Sequence, residues 1–223
     1  MRKSKANIVR GALTIAAVAL LAPAAYAGTL NMRVTTTDGA PLPLAVVTAV
    51  PVGQTSPVPA KPGTKAVMLQ EHKQFAPFVL PVQIGTTVAF PNRDDFRHQV
   101  YSFSPAKTFE LKLYGGSIVS TVTFDKEGAV ALGCNIHDNM LAYIYVVGTP
   151  YFSATESDGQ GKIGQLPAGS YTINVWHPNQ KAGQGNAGTI KVGTTDTVEA
   201  ALVVELKRNR TQRKPGAVDE TAY

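Results

Sequence analysis

From Gly28 onward the chain reads as one short apolar or alternating run after another, each closed by Gly, Pro or Asp. That punctuation limits the fold more than any other feature, because such runs are too short for helices and no 3.6-residue periodicity joins them. Residues 29–36 alternate with Leu30, Met32 and Val34 on one face, and Asp38-Gly39 supplies the turn. An apolar strand is expected at 44–50. Prolines 51, 57, 59 and 62 then make 51–63 a stiff linker. Further strands are expected at 66–70, 79–84, 86–90, 99–102, 117–124, 129–133 and 141–147, and a later set at 151–156, 161–164, 170–176, 188–192 and 197–204. The expected class is all-β, built from antiparallel sandwiches. With 223 residues and 44% hydrophobic content, the chain has enough apolar material for one large or two small domains.

The net charge of +6 raises the question of a polyanion partner. Its distribution answers it. Arg2, Lys3, Lys5 and Arg10 precede an apolar run at 12–22 and the small-x-small sequence Ala25-Tyr26-Ala27. This is the pattern of a cleavable signal peptide over 1–27, and it predicts export to the periplasm. Its apolar run is short for a bilayer span, and no other stretch approaches spanning length. Cleavage would remove four basic and no acidic side chains, leaving +2. Residues 207–223 hold five basic and two acidic side chains, a local +3 on an expected disordered tail, so the body 28–206 carries −1. A nucleic-acid partner is not supported.

The chain contains one cysteine. It excludes an intramolecular disulfide, a zinc ribbon and an iron–sulfur cluster, which all need several thiols. In an oxidising compartment a lone thiol must be buried or metallated. Cys134 opens the run Cys134-Asn135-Ile136-His137-Asp138-Asn139-Met140, which sets a thiol, an imidazole and a thioether at i, i+3 and i+6 between two strands. A second imidazole, His98, follows the strand at 86–90 and the turn Pro91-Asn92-Arg93-Asp94-Asp95. Two strand-end loops at one pole of a sandwich would bring His98, Cys134, His137 and Met140 together. Two imidazoles, a thiolate and a weak thioether are the ligand set of a mononuclear blue-copper site. Taken singly, Cys134 fits a small buried hydrophobe, His137 a loop residue and Met140 core filler. Zinc also accepts thiolate and imidazole, but the thioether favours copper.

The segment VAFPNRDDFRHQV, residues 88–100, resembles the cupredoxin stretch that runs from a core strand to the first histidine ligand. CNIHDNM has the Cys-x2-His-x2-Met spacing of the amicyanin-type ligand loop. Over 66–152 the chain resembles exported plastocyanin-like proteins often labelled "methylamine utilization protein", a label that implies no substrate. The resemblance implies one type 1 copper, with His98, Cys134 and His137 as equatorial ligands and Met140 as the axial one. It implies one-electron transfer, with the electron leaving near His137 through a collar containing Phe96. Many cupredoxins carry Asn directly after the first histidine, where it ties the two ligand loops. Here Gln99 stands at that position, and Gln99 and Asn135 are the residues expected just outside the ligands.

Of the other histidines, His72 reads as a solvated loop residue and His177 as a rim residue ending a strand before Pro178. Residues 155–173 resemble the later strands of carboxypeptidase-regulatory-like (transthyretin-like, prealbumin-like) sandwiches, and residues 32–47 resemble the first two. Two strands cannot bury a face alone. The expected layout is therefore a cupredoxin Greek-key domain at 63–147 inserted into a discontinuous sandwich of 28–62 plus 148–206; the alternative is two consecutive domains. No HExxH, nucleophile elbow or phosphate loop is present, and two spare histidines are too few for a trinuclear copper centre, so an enzyme is not expected. The reading is a periplasmic type 1 copper electron carrier with redox partner proteins. Its rivals are a copper-binding protein for storage, delivery or resistance, and a structural sandwich protein with an unused site.

Overall fold

The structure, a computed structural model, describes residues 27–137, 139–183 and 185–207. The signal peptide and the basic tail expected from the sequence lie, apart from Ala27 and Lys207, outside the described residues. These residues form strands and no helix. In chain order the strands are β1 (Gly28–Thr36), β2 (Val46–Pro51), β3 (Lys65–Val67), β4 (Leu69–Glu71), β5 (Gln74–Ala76) and β6 (Val79–Gln83). There follow β7 (Thr87–Phe90), β8 (His98–Ser104), β9 (Lys107–Tyr114), β10 (Ser120–Thr123), β11 (Gly128–Gly133) and β12 (Leu141–Val147). The last five are β13 (Phe152–Ala154), β14 (Gln160–Leu166), β15 (Gly169–Trp176), β16 (Asn186–Val192) and β17 (Thr197–Val204).

One group of sheets encloses residues from the middle of the chain. A five-stranded sheet runs β6-β12-β11-β8-β9, a three-stranded sheet runs β10-β7-β3, and β4 and β5 form a hairpin. Alternate residues of each strand point inward, as the pleat requires. Val88 and Phe90, Val100, Val130 and Leu132, and Ala142, Ile144 and Val146 meet with Phe124 in one core. Cys134 and Met140 belong to this same core. Each fully buried side chain of this size contributes about 1.5–3 kcal/mol.

The second group pairs the two ends of the chain. β1 lies between β14 and β17, running parallel to β17 over eight residue pairs, while β2 lies between β13 and β15 in the order β13-β2-β15-β16. Their core holds Leu30, Met32 and Val34 with Val47, Ala49, Tyr171, Ile173, Val175, Leu202 and Val204. A third apolar cluster joins the groups. Val46 of β2, Val79 of β6 and Val147 of β12 are buried together, and the Trp176 ring stacks on Tyr145 at 4.4 Å and 7°. The proline-rich stretch after β2 is pinned to this junction: Val58 N–H donates to Gly148 O at 2.8 Å and Ala60 N–H to Ile84 O at 2.7 Å.

Several elements differ from the sequence reading. The strand expected at 66–70 is two strands in different sheets, β3 and β4, divided at buried Met68. β5 and β9 have no counterpart among the expected strands. β9 is an edge strand in which Phe109 and Leu111 pack on the core while Glu110 and Lys112 alternate with them on the outer face; charge of this kind guards an edge against further pairing.

At the inner end of β9, Tyr114 builds a buried polar joint. Its hydroxyl donates to Phe90 O at 2.6 Å and accepts from Gln70 Nε2 at 2.6 Å, which fixes β4 and β7 to the large sheet. Burial pushes the Tyr114 hydroxyl up to about 12, only partly opposed by the Gln70 bond. Since the folded value is raised, the stability it contributes is complete below the ordinary tyrosine value of 10.0 and is lost as pH climbs toward about 12. Tyr114→Phe is expected to cost about 1–2 kcal/mol in urea unfolding at neutral pH, and to flatten the stability loss across that alkaline window.

Candidate metal centre

Strand direction decides which side chains meet. β8 begins at His98 and runs antiparallel to β11, which ends at Gly133, the two being paired through Gly133 and Tyr101. β12 begins at Leu141 and runs antiparallel to β11, so the loop 134–140 closes at the same pole. His98, Cys134, His137 and Met140 thus share one end of the five-stranded sheet. The approach of Tyr101 requires glycine at 133, since a side chain there would meet the Tyr101 ring at 2.6 Å. That ring covers the backbone just before the thiol.

The donor atoms converge. His98 is 0% and Cys134 3% exposed. Cys134 Sγ lies 3.9 Å from His98 Nδ1 and 4.0 Å from His137 Nδ1. The ligand atoms of these three residues all lie within 4.8 Å of one another. Bonds of about 2.0–2.3 Å, as zinc makes to nitrogen and sulfur, let one ion bridge a nitrogen and a sulfur up to about 4.3 Å apart. Both sulfur–nitrogen separations fall inside that reach. The donor set is soft, with His98 and Cys134 buried and His137 half-buried, and its chemistry suits a single copper or zinc ion. Met140 is buried in the adjoining core, and its N–H donates to His137 O at 3.0 Å, closing the loop.

Around these donors sits a scaffold that the sequence reading did not foresee. The second nitrogen of His98, Nε2, lies 2.7 Å from Asp94 Oδ2. Asp94 also accepts the backbone N–H of His72 at 2.7 Å and that of Lys73 at 3.0 Å, the two residues of the β4–β5 turn. Burial works to raise the Asp94 carboxyl, but the Lys73 amide, the His98 ring and the His72 amide overcome it and hold the group below the usual carboxylate range. Asn92 frames the loop: its Oδ1 accepts from Asp94 N–H at 2.9 Å, and its Nδ2 donates to Phe96 O at 2.8 Å and Tyr114 O at 3.2 Å. The available signal was Asp94 itself, an acid four residues before a candidate ligand in a turn-forming segment.

Phe96 covers the imidazoles from outside. Its ring centroid is 5.1 Å from that of His98 and 5.4 Å from that of His137, while the two imidazoles are 5.0 Å apart. Phe96 and Ile136 are 40% and 52% exposed, forming an apolar rim at this pole, and Lys73 Nζ lies 5.4 Å above the Phe96 ring. Gln99 does not join the ligand loops. Successive strand residues face opposite ways, so with His98 inward Gln99 points outward, where its Nε2 donates to Glu110 Oε1. Asn135 is exposed on the ligand loop. His72 occupies the exposed β4–β5 turn, and His177 is half-buried away from this group, its Nδ1 accepting from Asn179 N–H at 3.2 Å. Burial lowers the His177 imidazole below its ordinary value.

With so little exposure, the Cys134 thiol of the metal-free protein is expected to react slowly with a disulfide reagent and rapidly once urea unfolds the chain. Equal rates in both states would contradict the burial.

No protein-family model matches the chain, and no curated protein matches it. Solved structures do. It is similar to a copper-containing nitrite reductase from Thermus scotoductus SA-01, with 26% identity over 41% of this chain and 26% of that one, at a TM-score of 0.37. A purple cupredoxin from Nitrosopumilus maritimus is 19% identical over 37% of this chain and 98% of its own, at 0.32. Amicyanin from Paracoccus versutus is 18% identical over 45% of this chain and 96% of its own, at 0.34. The chain thus spans about a quarter of the reductase and nearly all of the two small proteins, while each covers less than half of this chain. The solved structures it is similar to thus include cupredoxins.

Proposed function

We propose that this chain is a periplasmic one-electron carrier that holds a single type 1 copper through His98, Cys134 and His137, with Met140 as a weak axial ligand. The observation that carries the reading is the buried thiol with two imidazole Nδ1 atoms at 3.9 and 4.0 Å. Copper bound there supplies a one-electron redox couple. The protein supplies a fixed shape. His98 is held at Nε2 by Asp94, and the loop carrying His137 is closed by the Met140 amide, so the donors have little freedom to rearrange between oxidation states. Phe96 and the core beneath Cys134 keep water from the sulfur.

Electron exchange is assigned to the exposed apolar rim of Phe96 and Ile136 beside His137, where a redox partner would dock. No role as an enzyme is proposed. Residues 63–147 are proposed as the copper domain, inserted into a second sandwich of 28–62 plus 148–206. Support for that division comes from the pairing of β1 with β14 and β17 and of β2 with β13 and β15. The second sandwich would serve as a spacer or binding unit.

One equivalent of Cu(II) is expected to produce an intense visible Cu–thiolate charge-transfer band, and Cys134→Ser to abolish it. Reversible voltammetry with slow loss of copper to a chelator supports a carrier. Rapid, complete transfer of copper to the chelator would instead indicate copper delivery.

A further inference from the structure

We infer that Asp94 is a positioning residue, which fixes the ring tautomer of His98, biases the centre toward its oxidised metal and ties the β4–β5 turn to the same imidazole. The inference rests on the copper reading for its redox part and on geometry alone for the rest. A carboxylate offers about four lone-pair sites and no donor. At Asp94, three donors converge on it: His98 Nε2 at 2.7 Å, His72 N–H at 2.7 Å and Lys73 N–H at 3.0 Å. Its side chain is only 9% exposed, so water competes little for these bonds. With Nε2 this close to a carboxylate oxygen, the ring proton lies between them. In the neutral ring, Nδ1 is then left with its lone pair, 3.9 Å from Cys134 Sγ.

That arrangement has an electronic consequence. A carboxylate on the far nitrogen makes the imidazole a stronger electron donor through Nδ1, which stabilises a doubly charged metal more than a singly charged one. It also has a mechanical one. His72 and Lys73 both adopt left-handed backbone angles, φ 56° and 57°, which turn two successive amides toward one acceptor. The turn so held carries Lys73 over Phe96, the ring that packs on both imidazoles. One carboxylate therefore links an inner ligand to the rim at which the electron is proposed to leave.

The test uses the full chain with Asp94→Asn and Asp94→Glu. In Asp94→Asn, Cu(II) affinity measured by chelator competition is expected to fall about 10–100-fold, Cu(I) affinity to fall less, and the reduction potential to rise. Asp94→Glu, which keeps the charge, is expected to restore part of the ratio. An unchanged Cu(II)-to-Cu(I) affinity ratio in Asp94→Asn would overturn the redox part. Nitrogen-15 NMR of the metal-free wild-type chain tests the geometry without either variant or any copper. It should show His98 with its proton on Nε2, protected from solvent exchange. The opposite tautomer, or fast exchange at Nε2, would overturn the positioning role. Failure of the copper reading is seen separately, as a wild-type chain that gives no Cu–thiolate band.

Discussion

Everything at the candidate centre depends on the antiparallel alignment of β8 and β11, held where the Tyr101 ring lies across Gly133. That register puts the first residue of one strand and the residue after the other at the same pole. His98 and Cys134, 36 residues apart, thereby meet in one buried space. A slip of one residue would send His98 to the outer face of the sheet, where Gln99 now lies. The thiol–imidazole cluster is therefore a product of sheet register first and of loop conformation second.

The spacing of Cys134, His137 and Met140 was plain in the sequence because a short loop between two apolar strands leaves few places for its side chains to go. The all-β class was equally plain, since alternating runs and turn residues are local signals. β9 is absent from the expected strands although Phe109, Leu111 and Leu113 alternate with Thr108, Glu110 and Lys112, which is the pattern of a half-buried strand. Asp94 was hidden because its partners, His72, Lys73 and His98, come from two separate segments, and only the folded hairpin brings them together. The resemblance places Gln99 just outside the ligands, whereas the two-residue period of the strand turns it away from them once His98 faces inward.

The remainder of the chain bears on the centre through packing. Tyr143 and Tyr145 face outward from β12, the strand that follows the ligand loop, and Trp176 from β15 packs against both. With Val46, Val79 and Val147 beneath, this junction is apolar and aromatic rather than a flexible tether. The proline-rich stretch after β2 is likewise bonded to Gly148 and Ile84 along its course. The strand that leaves the ligand loop is thus braced along its outer face.

The most direct measurement is X-ray absorption at the copper edge of the copper-loaded chain in both oxidation states. The proposal predicts one short copper–sulfur and two copper–nitrogen contacts, changing little on reduction. A first shell of nitrogen and oxygen alone, or a coordination sphere that rearranges on reduction, would contradict it.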